Sequence, residues 1–162
     1  MVEFEDGLLE AARKLMRADG GRSPSQAELR HAASTAYYAL FHFVSRSCAL
    51  ALLGGGAKNL TRAKEQIYRS LDHRDIVFAC QRARREGIEF PQGIRKFSDT
   101  CLELYHARIA AYYVRDGASD FPFNDAQHLI EECESAMSRI NDCSLGDRRA
   151  FAVLAAIKSK AR

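Results

Sequence analysis

One stretch limits what this chain can fold into. Between Ser23-Pro24 and the run Gly54, Gly55, Gly56 the residues read as one uninterrupted helix. Its middle, LRHAASTAYYALFHFV, is apolar or aromatic almost all the way round. A helix with a single apolar stripe lies on a core, whereas one that is apolar all round must be enclosed by several partners. Ser23 is placed to cap it, with Pro24 at the first helical position and Gln26 completing a capping box. The glycines stop it at about Leu53.

The rest of the chain supplies the partners that such a helix needs. Phe4–Met16 reads as an amphipathic helix, followed by a loop from Ala18 to Arg22. A short helix is expected from about Thr61 to Leu71, and Asp72 caps another that ends near Gly87. IEFPQG is extended or turn-like, Gly93–Val114 is a long helix, and Asp116–Phe123 a loop. Asn124 and Gln127 form a capping box for a helix reaching about Asp142, with Ala126, Leu129, Ile130, Cys133, Met137 and Ile140 on one face. The tail, DRRAFAVLAAIKSKAR, reads as a last helix, but its alternating Phe151, Val153 and Ala155 also permit an extended strand over 147–158. No other strand signal and no repeat is present. The expected fold is an all-α bundle, and 162 residues favour one domain over 1–162.

Charge and cysteine usage narrow the setting. A formal charge of +3 permits a polyanion partner without demanding one. The five cysteines (Cys48, Cys80, Cys101, Cys133, Cys143) are spread out, odd in number and free of CxxC pairs, as expected of reduced core residues in a cytoplasmic protein. The start, MVEFEDGLLEAARKL, lacks the positive flank and apolar run of a signal peptide. The longest wholly apolar stretch, Cys48–Leu53, is too short to cross a bilayer, so no membrane association is expected.

Two helical positions depart from plain core chemistry. On the long helix, Leu29, Ala33, Ala36, Leu40 and Phe43 form one stripe, widened by Tyr37, Phe41, Val44 and Cys48. His31, Tyr38, His42 and Ser45 cluster on roughly the opposite side, between small Ala32 and Ala39. That half-polar face is either a contact with another helix or subunit, or one wall of a site. On the Gly93–Val114 helix, Arg108 falls within the apolar arc of Ile94, Phe97, Cys101, Leu104, Tyr105 and Ile109, with Tyr112 one turn further on. A guanidinium placed there must find hydrogen-bond acceptors. It either ties helices together or presents its planar fork of donors to an anion.

Other patterns carry less. Glu28–His31 and Glu103–His106 are both ExxH, half of a di-iron ligand set, but both pairs face away from the apolar stripes, so no metal or other cofactor is expected. Arg82, Arg84 and Arg85 read as a solvated helix end near the C-terminal dipole. The triple glycine lacks the Lys-Ser/Thr continuation of a P-loop, and no nucleophile–base motif or zinc pattern occurs.

AELRHAASTAYYALFHFV, in which Arg30 precedes a run of small residues, resembles the hallmark helix of HEPN-like (higher eukaryotes and prokaryotes nucleotide-binding) proteins. ELYHARIAAYY resembles their later helix, with an arginine before an ADY-like triplet; YRSLDHRDIVFAC and the tail are similar to one bacterial branch. The resemblance implies an antiparallel helical bundle with short accessory helices, commonly a homodimer. Members act as RNA-cleaving toxins, as defence effectors, or as partners of small nucleotidyltransferases. The active ones carry an arginine followed after four to six residues by a histidine. Arg108 matches that arginine by position, but no histidine follows it until His128, and no arginine precedes any histidine at the required distance. Tyr112 stands where related sequences carry an acidic residue. The usual acid/base for metal-free cleavage is therefore missing from its place.

The expected function is a non-catalytic or weakly active RNA- or nucleotide-associated module of a toxin–antitoxin or defence system. The partners to expect are a second copy of the chain, and a nucleotidyltransferase or antitoxin. Arg108, Tyr38, His42, Tyr112 and Arg30 are the candidate ligand-binding residues, with Arg108 and His42 the candidates for catalysis. Two alternatives stay open: a metal-independent endoribonuclease with a displaced acid/base, supplied by His42 or His73, and a structural homodimer.

Overall fold

The computed structural model describes residues 3–17, 19–54, 60–85, 89–113 and 120–157. Among them the protein is all-α, without a strand. Its helices are α1 (Phe4–Arg17), α2 (Gln26–Leu53), α3 (Thr61–Ser70), α4 (His73–Ala83), α5 (Gln92–Tyr113), α6 (Phe123–Asn141) and α7 (Leu145–Ala156), with a 3-10 turn at Asp19–Gly21. The chain divides into two compact units whose boundaries fall inside α2, α5 and α6. Unit 1 is Met1–His42 with Thr100–Ala136, and unit 2 is Phe43–Asp99 with Met137–Arg162.

The caps that set the helix starts are only partly those expected. Ser25, not Ser23, opens α2: its Oγ accepts from the Glu28 backbone N–H at 3.3 Å, while its own N–H donates to Glu28 Oε2 at 2.7 Å. Glu28 is held further by Arg22, which keeps its carboxyl well below the usual carboxylate range. Gln26 instead exchanges two bonds with the Phe121 backbone, tying the start of α2 to the approach of α6. At α6 the Pro122 carbonyl accepts the Ala126 N–H, so the helix starts at Phe123; Asn124 lies inside the first turn and Gln127 donates to Glu131. Asp72 and Asp75 form the reciprocal box at α4. That helix ends at Ala83, short of Gly87, because its last turn tightens into an Arg85 N–H to Arg82 carbonyl bond. Gly54, at φ +72°, supplies the left-handed residue that ends α2.

In unit 1, residues 26–42 of α2 are enclosed by three helices. Phe4 meets His42 while Leu15 borders a hollow with Glu28 and His31, so α1 runs antiparallel to α2. His31 meets Tyr112 and Tyr38 meets Arg108, so α5 is antiparallel as well. Phe121 lies at Gln26, and the Cys133 thiol donates to the Ala36 carbonyl, so α6 runs alongside in parallel. Leu29, Ala33, Ala36, Tyr37 and Leu40 are buried between them, as are Leu9, Cys101, Leu104 and Ile130. Each fully buried leucine or isoleucine contributes about 1.5–3 kcal/mol of transfer free energy. By length and composition alone α2 could cross a membrane, but 56% of its most apolar window is buried within the fold, as in a core helix.

In unit 2, α4 packs Ile76, Ala79, Cys80 and Ala83 inward and lies against α7. The tail is helical over Leu145–Ala156, with Ser144 as its cap. Phe151 and Ala155, one turn apart, are buried while Val153 is exposed, which excludes the extended alternative there; residue 158 lies outside the described residues. Phe151 stacks edge-on against Phe97 at 5.6 Å, and Arg149 Nε donates to the Ala51 carbonyl at 2.9 Å in the last turn of α2. All five cysteines are free, four of them buried, and burial pushes the Cys48 and Cys133 thiols up to about 12.

Candidate functional site

The half-polar face of α2 and the arginine-bearing face of α5 meet in unit 1. Four residues apart on a helix share one side, so Tyr38 and His42 line α2 while Arg108 and Tyr112 line α5. The antiparallel packing sets Tyr38 against Arg108 and His31 against Tyr112, while His42 turns toward α1.

Arg108 is half-buried rather than fully enclosed. Its Nη2 donates to the Tyr38 hydroxyl at 3.0 Å, and its guanidinium carbon lies 5.5 Å from the Tyr37 ring centroid and 5.2 Å from that of Tyr38. Tyr37 is in turn packed against Tyr105 at 5.8 Å. Adjacent residues on a helix point about 100° apart, yet both tyrosine rings reach this one cation. The quadrupole of each ring attracts the guanidinium without neutralising it. The result is a planar cation held on two aromatic faces, in a residue that keeps some solvent exposure.

Arg30 and Tyr112 lie at the far end of the same pair of helices. Arg30 Nη1 donates to the Ala111 carbonyl at 3.3 Å and the Ala110 carbonyl at 3.4 Å, in the last described turn of α5. Tyr112 is 56% exposed, and its hydroxyl is 3.0 Å from His31 Nδ1. His31 and Thr35 also edge an open hollow of about 610 Å³ walled by Leu8, Lys14 and Leu15 of α1.

His42 occupies a different setting. Its ring packs edge-on against Phe4 at 5.0 Å and Phe41 at 5.5 Å, with buried Glu5 the neighbouring residue on α1. Burial lowers its pKa below the ordinary imidazole value, with the Glu5 charge acting the other way. Burial thus favours the uncharged form of this imidazole. His73 belongs to unit 2. Glu28 serves the α2 cap, and Glu103 and His106 are exposed on α5. Among the described residues no group of three histidine, cysteine or acidic side chains is placed to hold a metal.

The candidate residues thus fall on one helix pair, but in four local settings: Arg108 with Tyr38, Tyr112 with His31, Arg30 with the end of α5, and His42 with α1. His31 as the partner of Tyr112 was legible only as part of the half-polar face. The Phe4–His42 contact joins distant parts of the chain, and no local spacing signals it. No family model matches the chain, and neither a curated protein nor a solved structure matches it.

Proposed function

We propose that this chain is a HEPN-like module of an RNA- or nucleotide-related system such as a toxin–antitoxin or defence pair, non-catalytic or weakly active, with Arg108 at its ligand-facing site. The observation that carries the reading is the Arg108 guanidinium held on Tyr37 and Tyr38 in a residue that is only partly buried. The two segments that resemble the family lie on the same two helices. A cation fixed on aromatic faces needs little further ordering to receive a phosphate. The endoribonuclease alternative would use His42, packed on Phe4 and Phe41 where burial favours its uncharged form, whereas the bonds from Arg30 Nη1 to α5 carbonyls support a purely structural seam.

Fluorescence anisotropy with labelled RNA of about a dozen nucleotides, and calorimetry with ATP, test the ligand-facing role. Arg108→Ala is expected to lose binding and Arg108→Lys to recover part of it. Binding by Arg108→Ala equal to wild type sinks the site assignment. RNA cleavage in EDTA that disappears in His42→Ala replaces the non-catalytic reading with the enzymatic one. Light scattering tests the proposed homodimer, for which twice the monomer mass is expected at micromolar concentration. Co-expression with a candidate nucleotidyltransferase or antitoxin tests the remaining partnership.

A further inference from the structure

The charges of the chain are unevenly shared. Unit 2 holds 17 of the 24 lysines and arginines but only eight of the 21 aspartates and glutamates, which leaves it at +9 and unit 1 at −6. The modest overall charge therefore conceals a strongly basic half. Helix α3 has no buried residue, and among the described residues Arg62, Arg69 and Arg85 face no carboxylate within ion-pair distance. These cations are not consumed in holding the fold.

Helix α4 gives that basicity a shape. Arg74, Phe78 and Arg82 follow one another at four-residue spacing along one face. Ile76, Ala79, Cys80 and Ala83 already serve the core, so the stripe is free of that duty. Phe78 is 44% exposed, and the Arg82 guanidinium lies 5.5 Å from its ring centroid. Arg74 is 89% exposed and makes only a long 3.6 Å contact with Asp72. Phe78 and Gln81 border an open groove of about 420 Å³ that is also lined by Leu154 of α7 and by Ile157 just past its end. The groove's acid, Asp75, is engaged in the α4 capping box.

We infer that this α4–α7 face docks single-stranded nucleic acid, with a base stacked on Phe78 and flanking phosphates taken by Arg74 and Arg82. The inference deepens the proposed RNA association by naming the ligand class, and it rests on that reading only there, since it uses none of the residues around Arg108. An aromatic face offered between cations suits unpaired bases, which a duplex keeps stacked inside itself. An acidic peptide would answer the arginines but leave the ring and groove unused.

Anisotropy with labelled single-stranded RNA, single-stranded DNA and duplex, over a range of salt, is the test. Phe78→Ala should weaken single-strand binding about 5- to 100-fold at every salt concentration without changing the salt slope. Arg74→Gln with Arg82→Gln should flatten the slope of log K against log salt by about 0.7 per lost phosphate contact. Arg17→Gln, a surface cation of unit 1, should change neither. A preference for RNA over DNA in wild type would identify the source as RNA, and equal affinity as any single strand. Far-UV circular dichroism checks folding, which the surface position of Phe78 should spare. Wild-type affinity in Phe78→Ala overturns the inference, as does equal or tighter binding to duplex or to phosphatidylserine vesicles. Loss in Arg108→Ala with Phe78→Ala unaffected overturns it while sparing the Arg108 site. Loss in Phe78→Ala with Arg108→Ala unaffected supports it and removes that site. No binding to any nucleic acid overturns both.

Discussion

Arg108 lies in an apolar arc of its helix, yet it is only partly buried, and two tyrosines of α2 receive its charge. A buried salt bridge cut on one side costs about 3–5 kcal/mol. The two cation–π contacts and the hydrogen bond to the Tyr38 hydroxyl are themselves worth about 1–3 kcal/mol, so Arg108→Ala should lower stability by at least about 1 kcal/mol in urea unfolding. An unchanged urea midpoint would show that these contacts do not hold the two helices together. His42 makes a pH prediction. Its folded pKa is lowered by burial, so the unfolded chain takes up a proton first, at about 6.5. The contribution of His42 to stability is therefore complete above that pH and is lost as pH falls. Its NMR titration midpoint should lie below 6.5, and His42→Gln should remove that part of the pH dependence. The anomaly at Arg108 was legible because helical spacing alone places it among Cys101, Leu104 and Tyr105. The burial of His42 was not, because Phe4 reaches it only through tertiary packing.

The helices themselves follow from local chemistry, and their ends depend on competition among neighbours. Ser23 and Ser25 are both good caps, and the choice falls to Ser25 because Glu28, not Gln26, turns back to complete the box. Ser25→Ala should cost about 1 kcal/mol in thermal unfolding and Ser23→Ala almost nothing; equal effects would return the cap to Ser23. Gly93 in the first turn of α5 shows a second kind of constraint, invisible to propensity. A Cβ there would lie 2.6 Å from Cys143 Sγ and 3.3 Å from the Arg139 carbonyl. Alanine normally gains up to about 1 kcal/mol over glycine inside a helix. Here Gly93→Ala should instead destabilise by about 1–3 kcal/mol. Adding Cys143→Ala should recover part of the loss, because the sulfur is the closer obstacle. A stabilised single variant would show that the thiol moves aside freely.

The all-α architecture was readable from one helix that no single partner could cover. The division of charge between the two units was not, because each unit draws its residues from two separate stretches of the chain and only the fold gathers them. The same interleaving separates the sulfur atoms: Cys101 and Cys133 fall in unit 1, Cys48 and Cys80 in unit 2, all buried and free. A thiol becomes an alkylation target only once solvent reaches it and it can ionise. These four cysteines are thus built-in clocks, two per unit. Pulses of iodoacetamide read by peptide mass spectrometry would time the opening of each unit without any added label. Half-exposed Cys143 should be modified first. Matching rates for Cys133 and Cys48 would mean that the protein opens all at once, and unequal rates would reveal which unit lets go of its structure before the other.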